Sequence, residues 1–136
     1  MITTTKLNIV LDIGKTNVKL IFVDSKNTAI YSYNTKQKST NQYGIKTLNS
    51  KSIFEWTSRK INLVEKKYQL DKFVCTAHGT SIALIDHDNQ EILACTDYEY
   101  EYDQLMDDYK KIAPRFDESF TPFLEAGLNI GMQLYY

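Results

Sequence analysis

The chain has 136 residues, of which 43% are apolar and 24% charged, and a formal net charge of −1, enough material for one small domain with its own core. That balance offers no electrostatic case for nucleic acid or an anionic membrane surface. No long apolar stretch follows Met1-Ile2-Thr3-Thr4-Thr5-Lys6, so neither a signal peptide nor a transmembrane helix is expected.

Asn8 to Ile13, Val18 to Asp24 and Thr28 to Asn34 read as three successive antiparallel strands, with Asp24-Ser25-Lys26-Asn27 as the second turn. The polar stretch from Lys36 to Asn49 reads as a loop or irregular arm. Ser52 followed by Glu55 forms a capping box, and Ile53, Trp56, Ile61, Val64 and Tyr68 recur near helical spacing. This predicts an amphipathic helix from Ser52 to Tyr68, with Trp56 as a core anchor.

Lys72 to Ala77 is expected to be a buried strand ending at His78-Gly79. Ser81 to Asp86 and Glu91 to Thr96 flank the polar turn His87-Asp88-Asn89-Gln90, which predicts a hairpin. Asp103 is expected to cap a short helix whose Leu105, Met106, Tyr109 and Ile112 share a face, with Pro114 as its stop and Pro122 introducing the final segment.

Basic residues dominate up to Lys72, whereas the chain from Asp86 to Glu118 is acidic. Asp97, Glu99, Glu101, Asp103, Asp107 and Asp108 stand close together, the first four alternating with Tyr98, Tyr100 and Tyr102, a pattern that favours a solvated strand end and helix face over a metal site. Cys75 and Cys95 sit in apolar strand patterns without CxxC spacing, which predicts a reduced, cytoplasmic protein rather than a disulfide framework.

Chemistry concentrates in the first hairpin. The run Ile9-Val10-Leu11 ends on Asp12, the turn carries Gly14, Lys15, Thr16 and Asn17, and Lys19 opens the second apolar run. An acid for a metal, turn amides for phosphoryl oxygens and a cation facing them are what a nucleoside triphosphate needs. Gly14-Lys15-Thr16 spells the end of the GxxxxGK[ST] loop, but position 9 is isoleucine and the residues after Thr16 form a β-branched run instead of a helix. Each residue also has an ordinary reading. Asp12 and Gly14 suit any tight turn, Thr16 and Asn17 can satisfy the turn itself, and Lys19 can reach solvent as a surface lysine. His78, between a strand and Gly79, can point into a cleft or serve structure alone. Thr80, Ser81, Gln133 and Tyr135 are weaker candidates of the same kind. No GxSxG elbow supports a hydrolase, and no Cys or Asp cluster near His78 supplies a zinc set.

The run Asp12-Ile13-Gly14-Lys15-Thr16-Asn17-Val18-Lys19 resembles the first phosphate motif of the actin, sugar kinase and Hsp70 superfamily, and most closely that of FGGY carbohydrate kinases. Thr76-Ala77-His78-Gly79 and the stretch from Phe120 to Leu134 resemble the segments that follow in that family, in the same order. The resemblance implies an α/β, RNase H-like N-terminal domain whose mixed sheet opens with a three-stranded antiparallel meander. It also implies ATP and Mg2+ as cofactors, with the metal at Asp12 and the phosphates at Gly14, Lys15, Thr16, Asn17 and Lys19. A sugar or polyol is the implied partner, met at His78 and Gly79. One departure is Lys15, where many relatives carry a small or hydroxylated residue.

The family builds two such domains around a cleft, so 136 residues correspond to the N-terminal part of the first. The general base, the second phosphate motif and the adenosine pocket are then expected outside this chain, and the fragment alone is expected to be inactive. The apolar end Ile130-Gly131-Met132-Gln133-Leu134-Tyr135-Tyr136 fits a truncated edge through which copies could self-associate. The competing reading is a non-catalytic nucleotide- or sugar-binding module, or one chain of a split kinase.

Overall fold

The computed structural model describes residues 3–102 and 104–135. Two compact units emerge: the residues up to Lys38 with Asn49–His78, and Ser39–Leu48 with the residues from Gly79 onward.

The first unit is built on a four-stranded sheet in the order β3-β2-β1-β6, from β1 (Thr3–Ile13), β2 (Asn17–Val23), β3 (Ala29–Lys36) and β6 (Tyr68–Ala77). The first three strands form the expected antiparallel meander, while β6 runs parallel to β1. Strand alternation explains the core. Leu7, Ile9 and Leu11 of β1 and Val18, Leu20 and Phe22 of β2 share one face and are buried against helix α1 (Ser50–Val64) through Val64, with Ile53, Trp56 and Ile61 packed alongside. Phe22 meets Tyr31 and Tyr33 edge-on at 6.5 and 6.2 Å. Side chains of this size contribute about 1.5–3 kcal/mol each on full burial.

The α1 N-cap is Asn49, not Ser52: the Asn49 Oδ1 accepts the Ser52 amide at 2.9 Å. A capping side chain serves the third helical amide, which places the cap three residues earlier than the Ser-x-x-Glu pattern suggested. The helix also ends at Val64 instead of Tyr68, because Tyr68 already belongs to β6 and packs edge-on against Tyr31. A second correction concerns β6. Lys72 to Ala77 is exposed, with Phe73 51% and Val74 56% accessible, since among the described residues β6 is the sheet's edge strand and has β1 as its one neighbour.

The second unit holds two hairpins and the later helices. The stretch expected as an irregular arm forms β4 (Ser39–Gln42) and β5 (Ile45–Leu48). Its turn places Tyr43 and Gly44 at φ of 55° and 86°, the left-handed pair that a two-residue hairpin turn requires. Polar composition hid it, although Ile45, Thr47 and Leu48 are buried. The hairpin expected after Gly79 is present as β7 (Leu84–Ile85) and β8 (Glu91–Leu93), shorter than the sequence pattern, with its turn held by the Asp86 carboxylate accepting the Asp88 and Gln90 amides.

Helix α2 (Gln104–Ile112) packs Leu105, Met106 and Tyr109 against buried Ile45, Tyr102 and Met132, while Ile112 is exposed. The cap assigned to Asp103 lies outside the described residues. Asp97 corrects the solvated-acid reading: its side chain is only 4% exposed, pairs with the Lys46 ammonium at 3.0 Å, and accepts the Glu99 amide. Short helices α3 (Phe116–Ser119) and α4 (Ile130–Tyr135) flank a 3-10 turn at Ala126–Leu128.

Cys75 and Cys95 are both free thiols; burial pushes the Cys95 thiol above its ordinary range. Among the described residues, no helix is long and apolar enough to cross a membrane.

Candidate functional site

The β1–β2 turn is closed by the Gly14 amide donating to the Asn17 carbonyl at 2.9 Å. Glycine is required there by sterics: a Cβ on Gly14 would stand 2.9 Å from that same carbonyl oxygen. Thr16 is fastened from outside, its carbonyl accepting the Gln37 amide at 2.8 Å. The turn therefore has little freedom, and Thr16 and Asn17 remain exposed on it.

Register then decides which side chains share a surface. Asp12 lies opposite Lys19 on β2 and opposite Thr76 on β6, and Lys19 lies opposite Asn34 on β3. Directly paired residues point to the same side of a sheet, so Asn34, Lys19, Asp12 and Thr76 form a polar row across all four strands. This row lies on the face away from α1, because the core residues Leu11 and Val18 alternate with Asp12 and Lys19.

Asp12 is half-buried and Lys19 exposed. Of the two lysines expected near the phosphates, Lys19 offers an accessible ammonium, whereas the Lys15 nitrogen is buried. The row and turn thus combine one carboxylate, one accessible cation, hydroxyls, an amide side chain and a constrained backbone. A lone carboxylate suits Mg2+ that keeps its own waters and shares phosphate oxygens, which is how that ion is usually held. Among the described residues no group of three His, Cys, Asp or Glu is arranged as a closed metal cage.

His78 extends the pairing past the end of β6, its amide donating to the Ile13 carbonyl at 3.0 Å, and so it adjoins the residue that precedes Gly14. Its side chain is half-buried. Gly79 is exposed, and a Cβ there would meet nothing within 4 Å, so its own surroundings do not demand glycine. Thr80, at φ 62°, borders a cavity of about 380 Å3 within the second unit, with Tyr109, Phe123, Asn129 and Gly131.

Gln133 takes a packing role. It is buried, and its amide nitrogen donates to the carbonyls of Thr80 and Gly127. Asn34 carries no site signal in the sequence, and Thr76 carries one only within Thr76-Ala77-His78-Gly79. Both join the row through strand register, for which single-strand patterns carry no signal.

No protein-family model matches the sequence, and no curated protein matches it. Solved structures do. The chain is similar to a carbohydrate kinase from Novosphingobium aromaticivorans with a TM-score of 0.84 and 27% identity, over 98% of this chain and 28% of that one. It is also similar in fold to a xylulose kinase from Rhodospirillum rubrum (TM-score 0.64, 14% identity, 84% of this chain and 25% of that one). The Plasmodium falciparum glycerol kinase solved with ADP gives a TM-score of 0.59 at 13% identity, over 83% of this chain and 24% of that one. The chain thus spans about a quarter of the length of the solved structures it matches.

Proposed function

From a chain that matches structurally the N-terminal portion of FGGY carbohydrate kinases, we propose that it supplies the phosphate and metal wall of an ATP-dependent kinase that phosphorylates a hydroxyl of a sugar or polyol. The observation that carries this reading is the Asp12–Lys19 pair standing beside the constrained Gly14–Asn17 turn.

In this proposal Asp12 would hold Mg2+, and the exposed Lys19 would face the phosphoryl oxygens. The Gly14 to Asn17 segment, Lys15 included, lines the phosphates with amides, and Thr16 adds a hydroxyl. Mg2+, when bound, neutralises charge on the β- and γ-phosphates. The chain's own contribution is alignment and electrostatics: a turn already fixed by two main-chain hydrogen bonds loses little further freedom on meeting a triphosphate. His78, fastened to Ile13 through its main-chain amide, presents the sugar edge with Gly79. The general base and adenosine pocket belong to sequence beyond these residues, so the isolated chain is inactive in this reading. A cytoplasmic setting follows from the need for ATP and reduced cysteines.

The exposed edge of β6 favours a second reading alongside the first. Phe73 and Val74 lie half open on an edge strand, which suits pairing with a completing polypeptide, as in a split kinase, or with a second copy. A non-catalytic nucleotide- or sugar-binding module remains the alternative that lacks chemistry altogether.

The test is phosphoryl transfer to a panel of ketoses, deoxy sugars and polyols by the longest natural polypeptide containing this chain, or by the chain mixed with an adjacently encoded partner. Asp12→Ala is expected to lower the rate by roughly a hundredfold or more. An unchanged rate removes Asp12 from the mechanism, and no transfer to any acceptor favours the binding module.

A further inference from the structure

The first unit carries a second polar cleft, on the opposite side of its sheet from Asp12 and Lys19. Val18 and Thr35, which face each other across β2 and β3, form its floor, and Val18 belongs to the core that packs on α1. The first turns of α1 form one wall through Ser52, Glu55, Trp56 and Arg59, and Gln37 and Lys38 form the other. The volume is about 270 Å3, room for a small metabolite. Lys36 also borders the cleft, but its place opposite Asn17 puts its side chain with the Lys19 row.

Three observations give this cleft a ligand chemistry. Lys38 and Arg59 outweigh Glu55, so the lining is net positive, and arginine engages phosphate through two parallel N–H bonds. The Gln37 amide has both its nitrogen and its oxygen buried without a protein partner. Such an amide is costly to keep in a folded protein, which favours its turning into the cleft, where a hydroxyl group, which donates and accepts at once, matches both atoms. Trp56, half-buried, adds an aromatic wall of the kind that C–H faces of polyols rest on. We propose that this cleft binds a small phosphorylated polyol or sugar, with the phosphate at Arg59 and Lys38 and a hydroxyl at Gln37.

The cleft is also connected to the turn on the far face. Gln37 donates its main-chain N–H to the Thr16 carbonyl, so a ligand that repositions Gln37 acts on the segment between Gly14 and Asn17. The site is therefore suited to adjusting the phosphate turn, and its existence does not depend on the kinase reading.

Trp56 is the chain's single tryptophan, so its indole N–H resonance reports this cleft alone. The 136-residue protein is titrated with glycerol 3-phosphate, and in a parallel arm with inorganic phosphate. A saturable shift of the indole resonance is expected with glycerol 3-phosphate, at lower concentration than with phosphate. Arg59→Ala is expected to weaken binding by roughly tenfold or more, and Arg59→Gln, which keeps the exposed side chain's bulk, by a similar factor. Lys19→Ala, whose side chain lies on the other face and outside the turn that Gln37 holds, is expected to leave it within about twofold. The proposal is overturned if the indole does not respond, if inorganic phosphate binds as tightly as the ester, or if the response depends on Lys19 and not on Arg59.

Discussion

Asp12 and Lys19 face each other across the β1–β2 pair, one residue pair in from Ile13 and Val18, the pair nearest the turn. Backbone pairing fixes where the two side chains leave the sheet, and the Lys19 stem then carries its ammonium into solvent on that face. Two oppositely charged groups kept on one face at the end of the central strands can serve a metal and a phosphate together, which is the arrangement the proposed function uses.

That arrangement depends on Gly14. Gly14→Ala brings a methyl group to 2.9 Å from the Asn17 carbonyl oxygen, a backbone atom with no rotamer to yield. Urea unfolding is expected to show a loss of about 1–3 kcal/mol. A variant as stable as the wild type means that the turn can open without cost and does not hold the site rigidly.

Asn49→Ala and Ser52→Ala separate the two candidate caps of α1. Asn49 offers its side-chain oxygen to the helix's first turn, at 2.9 Å from the Ser52 amide. The Asn49 variant is expected to lose about 1 kcal/mol, and the Ser52 variant a few tenths. The reverse order in thermal unfolding would restore the Ser52 capping box.

The β2–β3 turn is expected to loosen in acid. The Thr28 amide, and then the Lys26 amide, hold the Asp24 carboxyl below its ordinary value of 3.8. A folded-state value below the unfolded one means the stabilisation is complete above the unfolded value and fades as pH falls through the folded value. Hydrogen exchange at the Lys26 and Thr28 amides should therefore accelerate, relative to the intrinsic rate, as pH drops below about 4. Asp24→Asn should remove this dependence, and an equal acid response in both proteins would assign it to another group.

How far the sequence carried depended on the distance over which each signal acts. The meander was legible because alternation along Ile9 to Ile13 and Val18 to Val23 is local, and so was the hairpin whose turn Asp86 closes. Burial of β6 was misread because an apolar run at a sheet edge looks the same as one at a sheet centre. The β4–β5 hairpin was missed because Tyr43-Gly44 is a weaker turn signal than Asn-Gly and its neighbours are polar. At the candidate site, Asp12, Gly14 and Lys19 stood out as a motif. Asn34 joined them only through strand register, and Asp97 is buried beside Lys46, 51 residues earlier in the chain, which no local pattern signals.

The most direct test of the central claim, that the first hairpin is a phosphate and metal wall, is an amide-resolved NMR titration of this chain with magnesium tripolyphosphate. Shifts are expected at the amides from Gly14 to Lys19, weak because one wall alone is present, and lost in the Asp12→Ala, Lys19→Ala double variant. Shifts confined to other residues, or an unchanged response in the double variant, would contradict the account.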